Sequence, residues 1–188
     1  GKSGDGCGLL MRKPDAFLRQ AAAGAGIELG EHYGVGMVFL NRDPAMAEAA
    51  RADLRAELER QGLTVAGWRV VPVNPDACGE ESRDTLPDIA QIFVNSPVGM
   101  LPEVFERHLF VARRRASQRI QARDPVYYAP SLSSRLISYK GLVMPANLPV
   151  FYPDLGDERL ESSICLFHQR FSTNTLPQWR LAQPFRYL

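Results

Sequence analysis

Residues 33–40 read Tyr-Gly-Val-Gly-Met-Val-Phe-Leu, eight in a row without a charge. A strand with one face in water alternates apolar and polar residues. A run this uniform predicts a strand covered on both faces, so a layer must lie on each side of it. Gly34 and Gly36 are two apart and share one face, where a neighbouring layer can approach closely. Asn41-Arg42 ends the run.

The surrounding segments supply candidates for those layers. Residues 7–11, Cys-Gly-Leu-Leu-Met, predict a buried strand. Pro14-Asp15 opens a helix whose apolar residues are Phe17, Leu18, Ala21, Ala22 and Ala25, broken by Gly24, Gly26 and Gly30. Asp43-Pro44 is an N-cap followed by proline at the first helical position. Ala47, Ala50, Leu54 and Leu58 then form one apolar stripe, and Gly62 closes the helix. The charges on its other faces, Glu57 among them, are expected in water. Leu63–Val73 and Ile89–Asn95 predict strands around a polar, carboxylate-bearing loop.

A second long helix is predicted over 101–121, with Phe105, Leu109, Ala112, Ala116 and Ile120 inward. Arg113, Arg114 and Arg115 fan out by about 100° each, so they read as an exposed polar sector and not as one binding face. Phosphate or nucleic acid is the alternative reading. Residues 126–139 predict strand, turn and strand, which argues for antiparallel pairing, and Lys140-Gly141 reads as a turn. Residues 144–157, with Pro145, Pro149 and Pro153, predict an irregular connection. Ser162–Phe171 predicts a last buried strand. Helices and antiparallel strands together favour layered α+β over a doubly wound parallel sheet.

Composition narrows the function classes. The 188 residues suit one domain, or one with a generous insertion. Twenty-two Lys and Arg against 21 Asp and Glu give a net charge of +1, which argues against nucleic acid as a general partner. The polar opening Gly1–Gly6 is no signal peptide, and no apolar run nears the ~20 residues of a membrane span. A cytoplasmic, reducing compartment is expected. Cys7, Cys78 and Cys165 are an odd number without a CxxC, which disfavours a disulfide scaffold or zinc cage. Neither Gly4–Gly8 nor Gly34-Val-Gly36 makes a nucleotide-binding fingerprint. The three His are too scattered for a metal site.

Polar groups converge once. His168, Gln169, Arg170, Ser172, Thr173 and Asn174 follow the last apolar run, at a strand's mouth. A guanidinium there suits a substrate carboxylate, which it grips by two parallel hydrogen bonds. The alternative is an arginine paired with an internal carboxylate, beside hydroxyls that make a turn.

The stretch Phe167-His-Gln-Arg-Phe-Ser-Thr-Asn-Thr-Leu-Pro-Gln-Trp179, followed by Ala182-Gln-Pro-Phe-Arg186, resembles the amidotransferase domain of glutamate synthase large subunits. So do Gly1–Gly8, Tyr33–Met37, Gly67–Asn74, Phe105-Glu-Arg107, Ser131–Arg135 and Tyr139-Lys-Gly141, in the same order. The resemblance implies the N-terminal nucleophile hydrolase fold: two antiparallel sheets face to face with outer helices (αββα). It implies a class II glutaminase in which an N-terminal Cys attacks the amide of L-glutamine, with its own α-amine as base. The parent would be an enzyme, glutamate synthase, an amidotransferase and oxidoreductase of nitrogen assimilation. Its synthase domain would take the ammonia to 2-oxoglutarate with FMN and an iron–sulfur cluster, with a small electron-transfer subunit as a candidate partner. The resemblance places Arg170 on the glutamine α-carboxylate and Thr173 at the pocket. It also implies that residues 1–188 are a partial domain, with the nucleophilic Cys upstream of Gly1 and the oxyanion-hole Asn-Gly beyond Leu188. Cys7, though followed by Gly8, then reads as a small buried residue, and the chain alone would be inactive. The rival is a non-catalytic interaction module on the same fold, with the Arg-rich helix as its contact surface.

Overall fold

The computed structural model describes residues 6–169 and 176–185. Its elements are β1 (Gly6–Arg12), α1 (Asp15–Gly24), β2 (Tyr33–Leu40), α2 (Pro44–Arg60), β3 (Thr64–Val70), α3 (Glu80–Asp84), β4 (Asp88–Asn95), α4 (Pro102–Gln121), β5 (Tyr128–Ser133), β6 (Leu136–Leu142), α5 (Leu148–Phe151) and β7 (Cys165–His168). Two sheets result, ordered β6-β1-β7 and β3-β4-β2-β5. The pairings in both are antiparallel. No described helix is long and apolar enough to cross a membrane.

β2 is buried along its whole length, as its composition demands. Its odd residues, Tyr33, Val35, Met37 and Phe39, enter the core between the sheets. Val38 and Leu40 enter a second core beneath α2 and α4. On that helix side a Cβ at Gly34 would stand 2.7 Å from Leu109 Cδ1, so the missing side chain lets α4 settle. α2 starts as expected, with Asp43 Oδ1 accepting from the amides of Ala45 and Met46.

Three expectations change. Glu57 is 3 % exposed and is not a solvated charge. It pairs with Arg60 on its own helix and with Arg119 of α4 at 3.5 Å, while Asp53 meets Arg123 at 2.6 Å. Arg113 is buried as well, with Nη1 3.5 Å from the Ala129 carbonyl it donates to. Arg113 and Arg119 of α4 therefore bind the second sheet and α2, while Arg114 and Arg115 are exposed as expected. Second, β5 and β6 do not pair with each other: β5 lies beside β2, and β6 beside β1. Ser133 Oγ accepts from the amides of Arg135 and Leu136, which turns the chain from one layer into the other. Glu106 of α4 clamps that corner, accepting from both serine hydroxyls and the Ser134 amide, each at 2.7 Å. Third, Lys140 and Gly141 lie inside β6 and form no turn.

The two sheets are joined by a closed polar ring. Arg69 of β3 donates to both oxygens of Asp154, at 2.8 and 2.7 Å. Asp154 accepts from the Tyr139 hydroxyl of β6 at 3.0 Å. That hydroxyl accepts from the Gln91 amide of β4, and Gln91 in turn accepts from Arg69. Burial, then the Asp154 carboxylate, pushes the Tyr139 hydroxyl well above its ordinary pKa, so it stays a donor. Asp154→Ala would strand a half-buried guanidinium, and a loss of about 3–5 kcal/mol is expected in denaturant unfolding. A loss below about 1 kcal/mol would show that the ring does not tie the sheets.

β7 also departs from its expectation of burial. It is the edge strand beside β1, and Ile164, Leu166 and Phe167 are 67, 56 and 66 % exposed. Its apolar residues mark a surface that needs a cover which no described residue supplies. Self-association of the 188-residue chain is therefore expected at micromolar concentration. Phe167→Lys should lower it, as measured by sedimentation; a wild-type chain that stays monomeric would refute this.

Candidate functional site

The candidate segment, 170–175, holds Arg170 and Thr173 and lies outside the described residues. The structure shows what holds its two flanks. On the upstream side, β7 pairs with β1 so that His168 lies opposite Gly8. Gly8 lies opposite Lys140 of β6. Lys140, Gly8 and His168 thus form one row across the first sheet, with side-chain directions on one face.

The downstream flank, a strap of residues 176–185, returns to this row. Trp179, in a short 3₁₀ turn, is 5 % exposed and lies in the core between the sheets. It meets Phe39 edge-on at 6.1 Å and Phe151 at 5.5 Å, and its indole N–H donates to the Ser82 carbonyl. A Cβ at Gly141 would be 2.5 Å from the indole ring, so only glycine leaves room there. Four residues on, the strap crosses Gly8, where a Cβ would come within 2.7 Å of the Gln183 carbonyl oxygen. Adjacent strand residues point to opposite faces. The strap therefore rounds the β6 edge, with Trp179 on the Gly141 side and Ala182–Gln183 on the Lys140 side.

Lys140 fastens this crossing. Its Nζ donates to the carbonyls of Ala182 at 2.6 Å and Arg180 at 3.1 Å. The rings of Tyr128 and Phe185 stand 4.6 and 4.5 Å from Nζ. Lys140 is 1 % exposed, and burial lowers its pKa to about 7. Sequence reasoning missed this residue by taking Lys-Gly as a turn. The available signal was the apolar Leu142, which continues the strand beyond it.

The other sequence candidates do not join the row. His32 is exposed on a loop beside Glu31, and His108 Nδ1 lies 2.9 Å from the Gln61 carbonyl at the end of α2. Cys7 is buried, and its thiol donates to the Val143 carbonyl, which suits the small core residue expected there. Burial pushes the Cys78 thiol up to about 11, far from a reactive thiolate. Among the described residues no group of three His, Cys, Asp or Glu could hold a metal ion, so no iron–sulfur ligand set is assembled by them.

Comparison with known proteins follows the same line. A family model described as class-II glutamine amidotransferases matches residues 1–188. The chain is 42 % identical to the glutamate synthase [NADPH] large chain of Azospirillum brasilense, over all of this chain and 13 % of that protein. It is 40 % identical to the glutamate synthase [NADPH] large chain of Bacillus subtilis and to ferredoxin-dependent glutamate synthase 2 of Synechocystis, over 99 % of this chain and 12 % of each. It thus spans about an eighth of the length of these relatives.

Gly8→Ala tests the crossing. Its Cβ would collide with Lys140 Cβ and with two carbonyl oxygens within 2.8 Å, so the strap must shift. A cost of about 1–3 kcal/mol is expected, with red-shifted Trp179 emission in a Trp68→Phe background. Unchanged emission and stability would mean that the strap does not bear on Gly8.

Proposed function

We propose, on the premise that this chain belongs to the class-II glutamine amidotransferases, that it forms part of the glutaminase domain of a glutamate synthase large chain. The observation that carries the reading is identity of 40–42 % to such chains across 99–100 % of these residues. The two-sheet α+β architecture supports it.

In this reading the substrate is L-glutamine. Arg170 grips its α-carboxylate through two charge-assisted hydrogen bonds, and Thr173 lines the pocket. The nucleophile is an N-terminal Cys upstream of Gly1. Its thiol proton passes to its own α-amine, its sulfur attacks the side-chain amide, and ammonia leaves as a thioester forms. Water then releases glutamate. Backbone and side-chain donors of an Asn-Gly pair beyond Leu188 hold the developing oxyanion. The ammonia serves the synthase domain of the same polypeptide, which aminates 2-oxoglutarate. FMN and an iron–sulfur cluster belong to those other domains. The relatives include NADPH-named and ferredoxin-dependent enzymes, so a small electron-transfer subunit is one of two donor routes. The compartment is cytoplasmic in this proposal.

Arg170→Lys in the full-length gene product is the test. Lys offers a point charge in place of a planar fork. Losing one charge-assisted hydrogen bond of about 1.5–3 kcal/mol should cut kcat/KM for glutamine by about ten- to a hundredfold, with the melting temperature held. Cys7→Ser should leave the activity in place. A destabilised Arg170→Lys protein with unchanged kcat/KM per folded molecule would remove Arg170 from the site. Glutamine hydrolysis that disappears in Cys7→Ser would move the nucleophile to Cys7.

A further inference from the structure

We propose that Lys140 is a proton-sensitive latch that holds the 176–185 strap and thereby positions the substrate segment directly before it. The latch stands on geometry, and only its effect on glutamine rests on the function proposed above. The strap has two anchors of different kinds. Trp179 is held between the sheets by apolar contact, which pH does not alter. Beyond it, Arg180 and Ala182 are held through their carbonyls by one amine. Cys7, Tyr139 and Gly141 flank that row on the opposite parity.

The amine is isolated from other charge. No carboxylate among the described residues pairs with it, and burial alone shifts it. β5 contributes Tyr128, and the end of α5 contributes Tyr152, whose hydroxyl donates to the Lys140 carbonyl. Burial raises both tyrosines, so they stay neutral around pH 7–9. β1 contributes Gly8, which is uncharged, and beyond it in the same row β7 contributes His168. In the strap, Arg180 turns its guanidinium to Gln178. A strap in place keeps the amine dehydrated, with a pKa of about 7; a released strap returns it to water, at 10.5. The closed form thus binds fewer protons than the open one. Its hold is full above 10.5 and declines as pH falls to about 7, by about tenfold per pH unit.

The test is hydrogen–deuterium exchange by mass spectrometry on the full-length gene product, corrected for intrinsic exchange. Protection of peptides in 176–185 should rise about tenfold per unit from pH 7 to 9, while β2 peptides hold steady. Lys140→Met should abolish the slope. Lys140→Arg, charged throughout, should keep the strap at its low-pH protection at every pH. In parallel, the KM for glutamine should rise in both variants wherever their strap protection shows that the closed form no longer dominates. A flat wild-type profile would overturn the latch, as would a slope that survives in Lys140→Met. An equal slope in β2 would assign the effect to global unfolding and also overturn it. Should Lys140→Met fail to fold, the wild-type slope and Lys140→Arg decide. Absence of glutamine hydrolysis in the wild type would defeat the functional reading, while strap exchange would still judge the latch.

Discussion

The ring of Arg69, Asp154, Tyr139 and Gln91 is the constraint around which the two layers are arranged. Three strands and the turn after α5 each contribute one member, and each member satisfies two others. In a core otherwise apolar, a polar group without its partner costs more than the pair contributes. The ring therefore rejects sheet offsets that apolar packing would tolerate. It fixes β6 against β3 and β4, and β6 carries Lys140 and Gly141, the two residues the strap rests on. The sheet registry and the placement of the strap are one problem with one solution.

The strap combines two kinds of contact. Trp179 buries a large ring in a slot made by the glycine at 141, which fixes where the chain enters. Lys140 fixes the path beyond that point through backbone carbonyls, whatever the side chains of Arg180 and Ala182. A buried amine with no acid partner among the described residues is costly, and the proposed latch gives that cost a use. On the far side of the molecule, α4 and the turn after it are bound to α2 by Asp53, Glu57, Arg119 and Arg123, and α4 to the β5–β6 corner by Glu106. Of the basic residues that suggested a contact surface, Arg113, Arg119 and Arg123 are occupied in this way, and Arg114 and Arg115 are exposed.

Much of the fold was legible in local pattern. The uncharged run at 33–40 announced a doubly covered strand, and Asp43-Pro44 a helix start, because burial of a whole segment and the geometry of a cap are written in adjacent residues. The strand-turn-strand reading of 126–139 found both strands and misplaced their partners. A turn in sequence does not say whether the chain folds back in its own sheet or steps to the next; the Glu106 carboxylate, some 28 residues away, settles that. The apolar run at 165–168 announced a need for burial, and only the sheet order showed it at an edge.

The sequence by itself determined the element types, the α+β class, the family, and Arg170 and Thr173 as candidates for the site, since each rests on residue chemistry at short spacing or on a long matched motif. The tertiary structure alone decided that Glu57 and Arg113 are interior, that Arg69, Gln91, Tyr139 and Asp154 close a ring, and that Lys140 holds the strap. Those facts depend on groups from 15 to 85 residues apart meeting in a low-dielectric interior. There a charge or a hydroxyl is defined by its partners and not by its neighbours in the chain.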